Sequence, residues 1–329
     1  MKILYISAVT KNTLSDYMCD LTLHGLRDLY GNDVIDYPGC WHLYADEVKK
    51  RNFDTNTLWG KGFTLNNSLS GYDLIDRSNI KQKIKSRYFD LIIYGSIRKS
   101  SHFIDEVIDT NNRFIFIDGE DDTFIDEKYS NKSLYFKREI LREYNNIKPV
   151  NFSIPKNNIV KEINLKPKNL ISPLIPGRPE TYIYDNEEDY NKMYQDSVFA
   201  ITTKKSGWDC LRHYEILANG CIPFFLDIKK CPSKTLDGLP KDLLIEILKK
   251  YEWILSQYNP FYIYKKKSLN LKKIISFLIS QVKSKKNIEN FINNNSEIFD
   301  IKKKLLDFTK DNLTTECIAK KIIEESKIL

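Results

Sequence analysis

Short, continuous apolar runs alternate with amphipathic stretches in the first half of the chain. The runs at 2–9, 89–96 and 113–119 lack the apolar–polar alternation of a half-exposed strand. Such runs are typical of strands that are buried on both faces of a parallel sheet. Residues 101–112 have the spacing of a crossover helix, and 33–38 predict a further strand. The pattern predicts a doubly wound α/β unit.

The first run is followed by a predicted helix over residues 14–31. Ser15 is its predicted N-cap and Gly31 its predicted stop. In doubly wound units, ligands bind beyond the carboxyl ends of the parallel strands. The side chains that end the predicted strands, Ser7 and Ser96 among them, are therefore candidates for a ligand cleft.

A second α/β unit is predicted from residue 169 onward. Apolar strands are expected at its start, in 197–207 and in 221–227, where Pro223 argues for a short or edge strand. A helix lies between the last two strands. Ser206 or Asp209 is its predicted cap and Gly220 its predicted end.

These patterns predict an α/β protein of two Rossmann-like domains, residues 1–160 and 161–329. The stretch 156–169, rich in lysine and asparagine, resembles a linker. The N-terminus predicts a strand rather than a signal peptide, and no apolar run approaches the ~18 residues of a membrane span. The six cysteines are scattered without a CxxC motif, which favours reduced thiols in a cytoplasmic protein.

Charge is distributed unevenly along the chain. Residues 241–329 carry 18 lysines, no arginine and 11 acidic residues, and so account for the whole net charge of +7. Leu271, Ile274, Ile275, Leu278 and Val282 have helical spacing within this lysine-rich segment. Two interpretations stay open: a core helix with a solvated lysine face, or a surface that meets DNA or an anionic membrane, which would place the protein at the inner membrane surface.

The candidate binding chemistry centres on the helix that contains Arg212 and Glu215. Residues three apart are neighbours on a helix, so the two side chains could simply form a weak ion pair. Alternatively, Arg212 binds a phosphate at the helix N-terminus and Glu215 accepts hydrogen bonds from ribose hydroxyls. Ser206 and Gly207, in the loop before the helix, and Arg178, in the preceding loop, would complete a nucleotide-sugar site.

The acidic turn at 118–122 follows a predicted strand and has three interpretations. Asp118 and Glu120 could hold a divalent ion. One carboxylate, from Asp118, Glu120 or Asp121, could act as a general base. The turn could also be solvated and merely cap the next helix. The base is favoured over the metal, and no metal site is expected. The neighbouring Lys137 and Arg138 are predicted to pair with this turn rather than with a phosphate.

The segment "LRHYEILANGCIPFF" (211–225) resembles the nucleotide-binding segment of glycosyltransferases with two Rossmann domains, the GT-B type. Exostosin-like transferases and bacteriophage DNA β-glucosyltransferases share its Leu-Arg-x-x-Glu pattern. The resemblance implies that the two domains face each other across a cleft. It also implies that Arg212 contacts the donor diphosphate, Glu215 the ribose and Arg178 the same diphosphate, with Asp118 as base. It is specific over about twenty residues, and "SAVTKN" lacks the glycine-rich loop of many such enzymes.

The protein is expected to be a glycosyltransferase that uses a nucleoside diphosphate sugar, with UDP as the favoured nucleotide. No cofactor and no essential metal are expected. The expected acceptor is a hydroxyl of a glycan or a lipid-linked sugar, with a modified DNA base as the second choice. Two rivals stay open: an epimerase of the same architecture, and a non-catalytic module that binds nucleic acid through the lysine-rich segment.

Overall fold

The computed structural model of the chain describes residues 1–10, 14–258 and 285–327. It is an α/β protein with a six-stranded parallel sheet and a second, three-stranded parallel sheet, which is compatible with a Rossmann-like fold. The strands are β1 Ile3–Ile6, β2 Val34–Tyr37, β3 Leu91–Tyr94, β4 Phe114–Asp118, β5 Tyr135–Lys137, β6 Ile147–Pro149, β7 Asn169–Ile171, β8 Ser197–Thr202 and β9 Ile222–Phe225.

The helices lie mainly in the connections between these strands. Their bounds are α1 Tyr17–Tyr30, α2 Ala45–Lys50, α3 Ile80–Lys85, α4 Ile104–Asp109, α5 Glu127–Ser130, α6 Glu187–Gln195, α7 Leu211–Ala218, α8 Lys241–Tyr258, α9 Lys285–Asn294, α10 Ile298–Asn312 and α11 Thr315–Ser326.

The first sheet has the strand order β2-β1-β3-β4-β5-β6, with every pair parallel. The prediction from the continuous apolar runs is confirmed, because β1 and β3 are buried at every position. The strands are shorter than the runs that contain them. The order reverses between β1 and β3, and ligands of such sheets bind outside the carboxyl ends at this point.

The predicted N-cap of α1 is wrong by one residue. Asp16, not Ser15, precedes the helix, and its side chain accepts a hydrogen bond from the backbone N–H of Cys19 at 3.1 Å. A carboxylate at this position also interacts favourably with the positive end of the helix dipole. Gly31 follows the helix with φ 55°, so the predicted stop is confirmed.

The second sheet has the order β7-β8-β9, again parallel. Pro223 lies in β9, a strand of four residues at one edge of this sheet among the residues described. Because proline cannot donate to a sheet ladder, the edge position explains its presence and confirms the prediction. Apolar residues of both sheets, such as Ile3 and Phe199, belong to one continuous buried core.

The last helix returns to the first sheet. At Gly25 of α1, a Cβ would lie 2.0 Å from the carbonyl oxygen of Thr315, so only glycine permits this close approach to α11. Ile154 also forms a parallel bridge with Thr314. The predicted boundary at residue 160 falls between the two sheets, yet the end of the chain packs on the first.

The predicted helix with Leu271–Val282 lies outside the described residues, which lack 259–284 and 328–329 of the lysine-rich segment. Within residues 1–10, 14–258 and 285–327, no helix combines the length and the apolar character that a membrane span requires.

Candidate functional site

Helix α7 follows β8 and a loop that ends at Cys210. Cys210 is the N-cap residue, and no side chain caps the helix, so the prediction that Ser206 or Asp209 does so is wrong. Asp209 instead accepts a hydrogen bond from the backbone N–H of Phe152 at 2.8 Å. Gly220, with φ 63°, follows the C-terminal end as predicted. All eight residues of α7 are buried.

Arg212 is a buried cation without an acidic partner. Its side chain is only 7% exposed, and no carboxylate in the described part of the chain lies within ion-pair distance. One guanidinium nitrogen donates to the hydroxyl of Tyr182 at 3.0 Å, and the guanidinium lies 5.2 Å from that ring. Nε has no hydrogen-bond partner. Burial of an uncompensated charge is costly, so this geometry suits a site for an anion.

Glu215 lies one turn further along α7 and is 8% exposed. Its Oε1 accepts a hydrogen bond from the hydroxyl of Thr64 at 2.8 Å, and its Oε2 accepts one from the phenol of Tyr190 at 2.6 Å. It forms no ion pair with Arg212, so the interpretation as a simple helix-surface pair is wrong. The carboxylate therefore acts as an acceptor for hydroxyl groups.

Tyrosines surround this pair. Tyr190 and Tyr194 share a hydroxyl contact of 3.2 Å, and Tyr17 lies at the N-terminus of α1. Burial raises the pKa of the Tyr17 phenol, and the nearby Glu215 carboxylate raises it further. Burial and then Glu215 also raise the pKa of Tyr190. These phenols stay neutral, so they supply hydrogen bonds but do not neutralise Arg212.

The loop that contains Arg178 leads directly to Tyr182. Arg178 is half-buried, and its carbonyl oxygen accepts hydrogen bonds from the backbone and the hydroxyl of Thr181. A short 3-10 turn over Pro179–Thr181 then brings Tyr182 against Arg212. The structure thus places the predicted Arg178 four residues before a side chain that contacts Arg212.

Ser206 and Gly207 occupy different environments. Ser206 is exposed, whereas Gly207 is buried against the acidic turn. A Cβ on Gly207 would lie 2.6 Å from Oε1 of Glu139 and 2.9 Å from Oδ1 of Asp121. Gly207 therefore lets the loop before α7 pack on the first sheet. The predicted contact of both residues with a donor stays a prediction.

Asp118, at the end of β4, is held from several sides. Its Oδ2 accepts a hydrogen bond from the phenol of Tyr135 at 2.6 Å and lies 3.0 Å from Nζ of Lys137. The angle makes the Lys137 contact an ion pair rather than a directed hydrogen bond. Oδ1 accepts from the backbone N–H of Glu120 at 3.0 Å, and the side chain is fully buried.

The other two candidate bases differ in exposure and partners. Asp121 forms an ion pair with the buried Arg138. Glu120 is 28% exposed and has a 3.3 Å contact with Lys99. The prediction that Lys137 and Arg138 pair with this turn is confirmed. Glu120 and Asp121 each pair with one cation and are partly exposed, whereas Asp118 is fully buried.

A crevice lies where the strand order of the first sheet reverses, as expected from the topology. Its volume is about 670 Å³. The predicted strand-end residues Ser7 and Ser96 lie at the adjoining strand ends, where they donate hydrogen bonds to the Pro38 carbonyl and to Asp16. The residues that line the crevice are Val9, Thr10, Pro38, Lys99, Ser100, Ser101 and His102.

Buried residues next to the site give a testable pH dependence. His213 of α7 is fully buried, with Nδ1 2.9 Å from the Thr202 hydroxyl and Nε2 2.9 Å from the Trp208 carbonyl. Burial lowers its pKa to about 3. The unfolded chain then binds a proton below pH ~6.5 that the folded chain does not bind, so acid favours unfolding.

We expect the free energy of unfolding to fall as pH decreases from about 6.5 to 3. His213 contributes up to about 1.4 kcal/mol per pH unit to this slope, so the slope should be smaller by up to that amount in the His213→Gln variant. Urea unfolding at several pH values measures both slopes. Burial also lowers the pKa of His24, to about 4, so some dependence should remain in the variant. Equal slopes in the two proteins would contradict the neutral, buried state of His213.

In comparisons with known proteins, no family model matches the chain and no curated protein matches its sequence. Within the described ranges, no group of three histidine, cysteine or acidic side chains is arranged to hold a metal ion. The sequence did not predict Thr64, Tyr182 or Tyr190 as site residues. Thr64 in particular lies 151 positions from Glu215 along the chain, a separation that local spacing cannot detect.

Proposed function

We propose that this protein is a glycosyltransferase that moves a sugar from a nucleoside diphosphate donor to a hydroxyl acceptor. One observation carries the proposal: α7 buries a guanidinium, with no acidic partner among the described residues, one turn from a carboxylate that accepts hydroxyl groups. A donor of this class carries the matching groups, a diphosphate and a ribose diol.

The chemistry of binding follows from these two side chains. The fork of Arg212 would bind phosphate oxygens through charge-assisted hydrogen bonds, which are stronger than neutral ones. The uncapped N-terminus of α7 adds a positive dipole end beside it. Glu215 would accept hydrogen bonds from the ribose. Arg178, from the loop that ends at Tyr182, would approach the same diphosphate.

We further propose the GT-B arrangement, with the donor on the second unit and the acceptor on the first. Two separate parallel sheets and the return of α11 to α1 support this arrangement. The crevice at the β1–β3 reversal is the acceptor position that the topology favours. As the acceptor hydroxyl attacks the anomeric carbon, the diphosphate would leave, and Arg212 would stabilise the charge that develops on it.

The acceptor hydroxyl must also lose its proton. The predicted base is a carboxylate of the acidic turn, Asp118 first. It would take the proton of the acceptor hydroxyl, and a single displacement of the diphosphate by that hydroxyl would give inversion at the anomeric carbon. The contacts of the turn argue against Asp118, which is fully buried against Lys137, and leave Glu120 and Asp121 as candidates, since both are more exposed. We keep a glycan or a lipid-linked sugar as the proposed acceptor, UDP as the proposed nucleotide and the cytoplasm as the proposed location.

Thermal-shift measurements with UDP, GDP, CDP, ADP and dTDP, with and without magnesium, test the donor site. We expect UDP to stabilise the protein in the absence of magnesium, by about 2.7 kcal/mol at 100 times its Kd. The shift should disappear in Glu215→Ala and persist in Glu188→Ala, since Glu188 is an exposed residue of α6. Unchanged melting with all five nucleotides would remove the proposed donor site.

A further inference from the structure

A strained loop of the first unit reaches the proposed donor site. Residues 58–67, here called the 58–67 loop, include five positions with left-handed φ: Gly60, Lys61, Gly62, Thr64 and Asn67. Thr64, at φ 79°, is the most unusual of these, because a β-branched residue rarely adopts this conformation. Such strain persists only where surrounding contacts impose it.

The contacts that hold Thr64 come from outside its own loop. Its backbone N–H donates to Oε1 of Glu187 at 2.8 Å, and its hydroxyl donates to Oε1 of Glu215 at 2.8 Å. Its carbonyl oxygen accepts a hydrogen bond from the side-chain amide of Asn158 at 3.0 Å. Every polar group of this buried residue is thus bound to the second unit or to the segment that leads into it.

Two neighbours of Thr64 strengthen the attachment. Nζ of Lys61 lies 2.7 Å from a carboxylate oxygen of Asp185 and donates to the carbonyl oxygen of Tyr184 at 3.0 Å. The ring of Phe63 packs 5.6 Å from the ring of Tyr190, the residue that binds the other oxygen of Glu215. The 58–67 loop therefore covers Glu215 with a hydroxyl and an aromatic ring, and Lys61 attaches the loop to the residues before α6.

The Thr64 hydroxyl has the same chemistry as the ligand group proposed for Glu215. Both an aliphatic side-chain hydroxyl and a ribose hydroxyl donate one hydrogen bond to a carboxylate. Thr64 already donates to Oε1 of a carboxylate that is 8% exposed, so a ribose hydroxyl would compete with Thr64 for that oxygen. We infer that Thr64 occupies the ribose position on Glu215 in the ligand-free protein, and that a nucleoside diphosphate displaces it and releases the 58–67 loop.

This inference rests on the proposed function and goes beyond it, because it makes donor binding a competition within the chain. The left-handed backbone of Lys61 and Thr64 favours release, since the strain disappears once the contacts with Glu187 and Glu215 break. The loss of those hydrogen bonds opposes release. The affinity for the nucleotide then includes the cost of detaching the loop, as in any equilibrium between a closed and a binding-competent state.

Titration calorimetry with UDP tests the competition, because it measures whether a Thr64 variant binds UDP more tightly or more weakly than the wild type. We expect Thr64→Ala to bind UDP about tenfold more tightly than the wild type, because the competing hydroxyl is absent, a gain of about 1.4 kcal/mol. The matched Thr64→Ser variant keeps the hydroxyl and should stay near the wild-type affinity. Unchanged or weaker binding by Thr64→Ala would overturn the inference, since a Thr64 that merely orients Glu215 for the ligand predicts weaker binding.

Hydrogen exchange on the unaltered protein gives an independent result if the alanine variant folds poorly. We expect the amides of the 58–67 loop, that of Thr64 above all, to exchange faster when UDP is bound. Slower or unchanged exchange there would overturn the inference. The two proposals can fail separately. If neither the wild type nor Thr64→Ala binds a nucleotide, the proposed donor site is wrong. If both bind UDP with the same affinity, only the proposed competition is wrong.

Discussion

Replacement of Arg212 by methionine is expected to abolish nucleotide binding and, at the same time, to stabilise the ligand-free protein. Two charge-assisted hydrogen bonds to a phosphate contribute about 1.5–3 kcal/mol each, so their loss should weaken binding at least ~100-fold. The stability of the free protein should change in the opposite direction, because the buried guanidinium has no carboxylate partner among the described residues.

The expected gain in stability is about 1–2 kcal/mol, since methionine fills most of the space of arginine without a desolvated charge. The lost hydrogen bond and ring contact with Tyr182 keep the gain at the low end of the range. Urea unfolding without ligand and calorimetry with UDP measure the two effects. Arg212→Lys is the matched control: it keeps a charge but not the planar fork, so it should weaken binding without stabilising the fold.

The changes in stability and in nucleotide affinity distinguish the two possible roles of Arg212, one in the fold and one in donor binding. A residue that serves only the fold would lose stability on replacement, through its contact with Tyr182, and its loss would leave nucleotide binding intact. An Arg212→Met variant that is less stable than the wild type yet binds UDP normally would therefore contradict the proposed donor site. Natural proteins keep costly buried charges where function requires them. Arg212 meets that expectation if its replacement raises the stability and removes nucleotide binding.

The parallel strands and α7 could be predicted because the information that specifies them is local. Continuous apolar runs indicate strands buried on both faces, and β1, β3 and β4 follow that pattern. Pro223 indicated an edge because its missing N–H concerns a single position. The proximity of Arg212 and Glu215 follows from helix geometry alone, since residues three apart share a face.

The surroundings of that pair could not be predicted, because they come from distant parts of the chain. Thr64 belongs to the connection after β2, Tyr190 to α6 and Tyr182 to the loop after β7. Sequence spacing could not show whether Arg212 and Glu215 pair with each other or with such residues. The burial of α7 on every side determines which residues the two side chains contact. That burial arises only when distant parts of the chain pack together.

The helix caps and the acidic turn also show that the local sequence does not identify the partners of a side chain. Ser15 and Asp16 are both good N-cap residues, and only the backbone geometry selects Asp16. Asp118 ends a strand, as a catalytic base would, but the partner strand β5 places Lys137 and Tyr135 beside it. A carboxylate at a strand end is thus ambiguous until its neighbours are known.

The Asp118→Asn variant resolves that ambiguity, and we expect it to destabilise the protein by about 3–5 kcal/mol, because it leaves the fully buried ammonium of Lys137 without its nearest counter-charge. Asparagine has the shape of aspartate and can still accept the hydrogen bond from Tyr135, so the loss reports on the charge. Asp73→Asn is the control: this exposed residue pairs with the exposed Lys50, and its replacement should cost less than about 1 kcal/mol.

The double variant Asp118→Asn with Lys137→Met should recover most of the lost stability, because it removes the stranded cation as well. Urea unfolding of the single and double variants measures this coupling. If Asp118 is a base and not part of a buried ion pair, its single variant should unfold like the wild type, and the double variant should bring no recovery. Nucleotide binding should be unchanged in the folded fraction of all these proteins, since the pair lies in the first sheet and Arg212 and Glu215 on α7.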